Sequence, residues 1–140
     1  QNREFVTASE TYDISAYGAD IFGQFGTATF SAGYFVFEKD YEIGADPEND
    51  GFYVEGAYLI PLTGGKDVEF AARYQSYTPD EAFLALNNPE QKQTSLGLNY
   101  YIKKHDAKVQ ATYNINEKDD DHGYNYDPGD NFVVQVQLAW

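Results

Sequence analysis

The sequence predicts an all-β fold, an antiparallel up-and-down transmembrane β-barrel with about eight strands in its 140 residues. Three observations predict it. Apolar and polar residues alternate with period 2 through seven successive segments, which sorts them onto opposite faces of strands. Tight, turn-like connections alternate with long acidic ones. Aromatic residues make up 17% of a chain with a formal charge of −14, a mix suited to many short strands and unsuited to a helix bundle.

Taken in chain order, residues 3–8 (REFVTA) are a weakly patterned candidate for an extra strand. In 15–25, Tyr17, Ala19, Ile21 and Phe25 oppose Gly18, Asp20, Phe22 and Gln24. In 27–38, Ala28, Phe30, Ala32, Tyr34 and Val36 oppose Thr29, Ser31, Gly33, Phe35 and Phe37. In 51–60, Phe52, Val54, Tyr58 and Ile60 oppose Tyr53, Glu55, Ala57 and Leu59. In 66–76, Val68, Phe70, Ala72 and Tyr74 oppose Glu69, Ala71, Arg73 and Gln75. In 91–102, Leu96, Leu98, Tyr100 and Ile102 oppose Gln93, Ser95, Gly97, Asn99 and Tyr101. In 106–116, Val109, Ala111, Tyr113 and Ile115 oppose Lys108, Gln110, Thr112 and Asn114. The last segment, 130–140, sets Phe132, Val134, Val136, Leu138 and Trp140 against Asn131, Val133, Gln135, Gln137 and Ala139.

The connections order these strands. Gly26-Thr27, Thr63-Gly64-Gly65 and Lys103-Lys104-His105 read as tight turns. Between them lie the acidic segments, of which 38–50 and 117–130 each hold six acids and one Lys. In a meander, alternate connections share an end, so all tight turns fall at one end and all acidic loops at the other.

Composition excludes several classes. With a mean hydropathy of −0.59, the chain has no run near the roughly 18 apolar residues of a membrane helix. The charge argues against a nucleic-acid partner. The chain has no Cys, which removes disulfides, thiolate metal sites and thiol catalysis. It also has no Met, so a processed chain or a segment of a longer one is expected, with any signal peptide cleaved before Gln1.

Alternation alone fits both a soluble barrel with an apolar inside and an outer-membrane barrel with an apolar outside. Strands of about 9–11 residues cross a bilayer at a tilt near 45°. Tyr17, Phe25, Tyr34, Phe52, Tyr58, Tyr74, Tyr100 and Trp140 lie on the apolar face, many near strand ends, like the aromatic girdles of a membrane interface. The opposite face is rich in Gly, Ser, Ala, Asn and Gln and poor in Lys and Glu, the wrong kind for a soluble exterior. Ending in an alternating strand with a terminal aromatic also suits bacterial outer-membrane barrels and their assembly machinery. The expected place is therefore the outer membrane of a Gram-negative bacterium, with lipid and lipopolysaccharide as neighbours.

The order AYGADIFGQFG (16–26), TATFSAGYF (27–35), GFYVEGAYLI (51–60), VEFAARYQSY (68–77), TSLGLNYYIKKHDAKVQATYNI (94–115) and a final NFVVQVQLAW resembles the C-terminal part of the phosphate-selective porin O and P family. The resemblance runs over roughly residues 16–140. It implies a porin-like barrel allowing passive diffusion of small solutes, anionic ones among them, and it leaves a homo-oligomer open. Members are larger trimeric pores with constrictions lined by arginines and lysines. This chain has about half their strands and few inward cations; Arg73 in AARY is the basic residue that matches. Two organisations stay open: residues 1–140 as one barrel domain, or as the C-terminal strands of a larger porin.

The inward face holds Asp20, Glu55, Glu69, Arg73 and Lys108. In an eight-stranded barrel side chains fill the interior and such charges must pair, with Glu69 and Arg73 two pleats apart on one face. In a wider barrel they would line a wet wall. The spacing Asp46-x-Glu48-x-Asp50-Gly51 resembles the start of an EF-hand loop, but Ala57 stands where the bidentate Glu belongs. With Asp119, Asp120, Asp121 and Asp127, these acids amount to a surface that collects divalent cations; no dedicated metal site is expected. His105 and His122 are each isolated, no nucleophile constellation or phosphate loop is present, and neither enzymatic activity nor a cofactor is expected. The alternative to a channel is a small closed eight-stranded interaction barrel with a filled lumen and acidic working loops; a soluble ligand carrier is the third reading.

Overall fold

The computed structural model describes residues 12–41, 48–79, 90–103, 107–118 and 129–138. They form seven strands: β1 (Tyr12–Phe25), β2 (Ala28–Tyr41), β3 (Glu48–Pro61), β4 (Asp67–Thr78), β5 (Gln91–Lys103), β6 (Ala107–Lys118) and β7 (Asn131–Leu138). One sheet joins them in chain order, every pair antiparallel. The candidate strand at 3–8 lies outside the described residues. Among those described, the sheet does not close: β1 and β7 each have one neighbour.

Two of the expected tight turns are present. Gly26 takes a φ of 63° between the paired residues Phe25 and Ala28. Gly64 and Gly65 take φ of 81° and 74° beyond the Pro61–Asp67 pair, where Leu62 N–H donates to the Lys66 carbonyl at 2.8 Å. Left-handed backbone is the reason glycine stands at these positions. At the third turn Lys103 still pairs with Ala107 after an irregularity at Tyr101/Lys103, so the three-residue connection shifts by one to 104–106, which lie outside the described set.

Six of the seven strands are longer than the expected 9–11 residues, and β7 has 8. β1, β2 and β3 have 14 each, β4 and β6 have 12, and β5 has 13. The surplus sits mainly at the ends that carry the acidic connections. Glu38 pairs with Glu48 and Asp13 with Asp40, so the ladder continues into sequence that reads as loop. Backbone pairing uses N–H and C=O groups, which solvated carboxylates do not block.

Cross-strand partners share a face, and the register keeps the apolar set together across all seven strands. One row runs Ile21, Ala32, Val54, Tyr74; another runs Tyr58, Phe70, Leu98, Ala111, Val134. This face lies open: Phe25 is 78% exposed, Ile21 63% and Phe132 65%. Val36 is the buried hydrophobic among the described residues, so no conventional core exists. On the polar face the central positions shield one another, as on the concave side of a curved sheet; in β3 the residues from Asn49 to Leu59 on that face are buried or half-buried. A soluble carrier would show the reverse.

Candidate functional site

The polar face is built from transverse rows of register partners, one residue per strand. One row runs Asp20, Gly33, Tyr53, Gln75, Gln93, Asn116. Its amides form a chain: Gln75 Nε2 donates to Gln93 Oε1 at 3.2 Å, Gln93 Nε2 to Asn116 Oδ1 at 2.7 Å, and Asn116 Nδ2 to the Gly129 carbonyl at 2.7 Å.

The next row holds Ser31, Glu55, Arg73, Ser95, Asn114 and Asn131. Arg73 Nη1 stands 3.5 Å from Glu55 Oε2, and both side chains are about two-fifths exposed, at 41% and 42%. The guanidinium also lies 4.6 Å from the centre of the Tyr53 ring, a cation–π contact. Onward, Ser95 Oγ donates to Asn114 Oδ1 at 2.7 Å and Asn114 Nδ2 to Asn131 Oδ1 at 2.8 Å.

Glu69 and Arg73, two pleats apart on this face, do not pair with each other. Four residues along one strand separate the two by about 13 Å, whereas direct partners lie about 5 Å apart. Glu69 instead accepts from Asn99 Nδ2 at 2.7 Å and from the Tyr101 hydroxyl at 3.2 Å. Lys108, opposite Tyr101, places Nζ 5.9 Å from the centre of that ring. Asp20 shares the polar face and is exposed. Thus all five charged residues occupy one face, in four different rows.

The aromatic rings that alternation places on this wall also cover glycines, which sequence reasoning passed over. The Tyr53 ring covers Gly33, where a Cβ would meet Cε1 at 2.5 Å; the Phe35 ring covers Gly51 in the same manner. Each ring covers its own register partner. An aromatic paired with a glycine across two strands is the signal, and it needs the register to be seen.

Between the charged rows runs a belt of small side chains: Ala57, Ala71, Gly97 and Thr112. The aromatics Tyr17, Phe25, Tyr34, Tyr58, Tyr74 and Tyr100 stand on the opposite, apolar face by register; Trp140 lies outside the described residues. At the acidic end the Tyr17 hydroxyl donates to Glu38 at 3.1 Å and that of Tyr113 to Asp130 at 2.7 Å.

Of the cation-collecting acids, Asp46, Asp119, Asp120, Asp121 and Asp127 lie outside the described residues, as do His105 and His122. Glu48 and Asp50 belong to β3 as extended, paired residues, so the EF-hand-like spacing does not build a loop there. Among the described residues no group of three or more His, Asp or Glu gathers to hold a metal.

Comparison with known proteins agrees with this architecture. The family model described as phosphate-selective porin O and P matches residues 6–140. An uncharacterized protein of Aquifex aeolicus (strain VF5) is 32% identical over 132 residues; the match takes in 91% of this chain and 30% of that protein. Among solved structures, OmpT of Vibrio cholerae, an outer membrane protein in its trimer form, superposes with a TM-score of 0.66 at 16% identity, covering 92% of this chain and 42% of that one. The chain therefore spans less than half the length of either relative.

Proposed function

The chain belongs to the phosphate-selective porin O and P family of outer-membrane β-barrels, and from that membership we propose that it forms part of the wall of a passive diffusion channel for small solutes. The observation that carries this reading is the division of the sheet. One face is apolar and open, ready for lipid, while the other is a continuous lattice of amides, hydroxyls and charges suited to water. The location is the bacterial outer membrane.

We further propose that these strands belong to a barrel wider than eight. In an eight-stranded barrel side chains fill the interior. The belt at Ala57, Ala71, Gly97 and Thr112 leaves too little bulk for that, which disfavours the closed interaction barrel with a filled lumen. Lipid demands that the open edges at β1 and β7 find partners.

In this reading Asp20, Glu55, Glu69, Arg73 and Lys108 line the lumen. Tyr17, Phe25, Tyr34, Tyr58, Tyr74 and Tyr100, with Trp140, sit near the membrane interfaces. Lipid, lipopolysaccharide, the outer-membrane assembly machinery and further copies of the protein are the partners such a wall would meet. Transport, not catalysis, is the proposed activity. Liposome swelling in uncharged sugars of graded size tests it on the whole protein. Swelling that falls off with sugar size supports a water-filled channel; folded, inserted protein that admits none of them removes it.

A further inference from the structure

We infer that this wall favours small cations over phosphate and other anions, with Glu55 and Glu69 setting the sign. The inference rests on the channel reading above. It concerns the part of the polar face between the Asp20 row and the Asp67 row, across the middle of the sheet.

That region carries Asp20, Glu55, Asp67 and Glu69 against Arg73 and Lys108, an excess of two negative charges. The two cations are also engaged. Glu55 stands directly opposite Arg73 and pairs with it, while the Tyr53 ring occupies one side of the guanidinium. Lys108 sits against Tyr101, whose hydroxyl already serves Glu69. An anion approaching Arg73 along this wall meets the Glu55 carboxylate 3.5 Å from the guanidinium.

The carboxylates are better placed than the cations. Glu69 accepts from two donors, the buried Asn99 amide and the Tyr101 hydroxyl, which fix its carboxylate on this face. Beyond these rows come segments 38–50 and 117–130, in each of which six acids outnumber one Lys. The field along the wall is therefore negative, and a potential of about one kT per charge already enriches cations over anions roughly sevenfold.

The test is the reversal potential of the whole protein in a planar bilayer under a KCl gradient, followed by addition of inorganic phosphate. The expected result is a reversal toward the potassium limit, with conductance unaffected by millimolar phosphate. Glu69→Gln and Glu55→Gln should each move the reversal toward chloride, and Arg73→Gln should move it further toward potassium. Should Glu55→Gln fail to insert, the wild type and Glu69→Gln decide the matter. A chloride-directed reversal in the wild type, or block by phosphate, overturns the inference and leaves the channel intact. Inserted protein with no conductance removes the channel reading, and this inference with it.

Discussion

Arg73 and Glu55 face each other across the β3–β4 pair with 3.5 Å between guanidinium and carboxylate, while the Tyr53 ring backs the guanidinium at 4.6 Å. The geometry looks strong, but two-fifths of each charged side chain meets solvent. Exposed pairs contribute on the order of 0–1 kcal/mol. Arg73→Gln is accordingly expected to lower stability by no more than about 1 kcal/mol. Urea unfolding in lipid vesicles measures it, and a loss several times larger would mean the pair is structural and not a lumen feature.

The apolar face predicts a sharp asymmetry. Leu96 is 50% exposed near the middle of β5, and its partners Ala72 and Tyr113 share its face. Leu96→Arg should cost about 2–4 kcal/mol if that face meets hydrocarbon near the midplane. The natural polar control, Asn99, turns out to be 8% exposed and to hold Glu69, so Asn99→Arg would disturb more than facing. Gln135, exposed on the polar face of β7, is the cleaner site, and Gln135→Arg should be neutral. Heat-modifiable gel mobility of the extracted protein reports both, and equal behaviour would reverse the assignment of faces.

The faces were legible in the sequence because period 2 is a property of each strand alone: Leu96 and Asn99 fall on opposite sides whatever their neighbours are. The turns at Gly26 and Gly64 were legible for a similar local reason. Register was not, since alternation says which way a side chain points and nothing about how far one strand slides along the next. For that reason Arg73 found Glu55 and not Glu69, and the covering of Gly33 by Tyr53 could not be foreseen. Strand ends were misjudged where acids signal a loop, as at Asp40 and Glu48, because solvated charge does not forbid a backbone ladder.

The ring-over-glycine pairs predict a graded response to added methyl groups. At Gly51 a Cβ would run into the Phe35 ring and come within 2.9 Å of the Ser76 carbonyl, which is backbone and cannot swing aside. Gly51→Ala should therefore cost about 1–3 kcal/mol, the usual range for overpacking. At Gly56 the nearest atom is the Thr29 carbonyl at 3.8 Å, so Gly56→Ala should stay within about 0.5 kcal/mol of wild type. Urea midpoints for the two variants check the contrast, and equal midpoints would mean Phe35 does not lie where the geometry puts it.

At the acidic end of the sheet, Tyr113 turns its hydroxyl to Asp130 at 2.7 Å, and the Asn116 backbone N–H reaches the other oxygen of the same carboxylate at 3.3 Å. One carboxylate thus ties β6 to the residue just before β7, which among the described residues has no further strand beside it. Tyr113→Phe removes the hydroxyl and keeps the ring on the apolar face. The loss should be small, that of one solvent-exposed hydrogen bond to a charged acceptor. Asp130→Asn keeps one acceptor oxygen for the hydroxyl but sets an NH2 against the Asn116 N–H, so it should lose at least as much. Hydrogen exchange offers the finer measurement: the amides of β7 should exchange faster in Tyr113→Phe while those of β3 and β4 hold steady. Uniform acceleration across the sheet would show instead that Tyr113 supports the fold as a whole and not this edge.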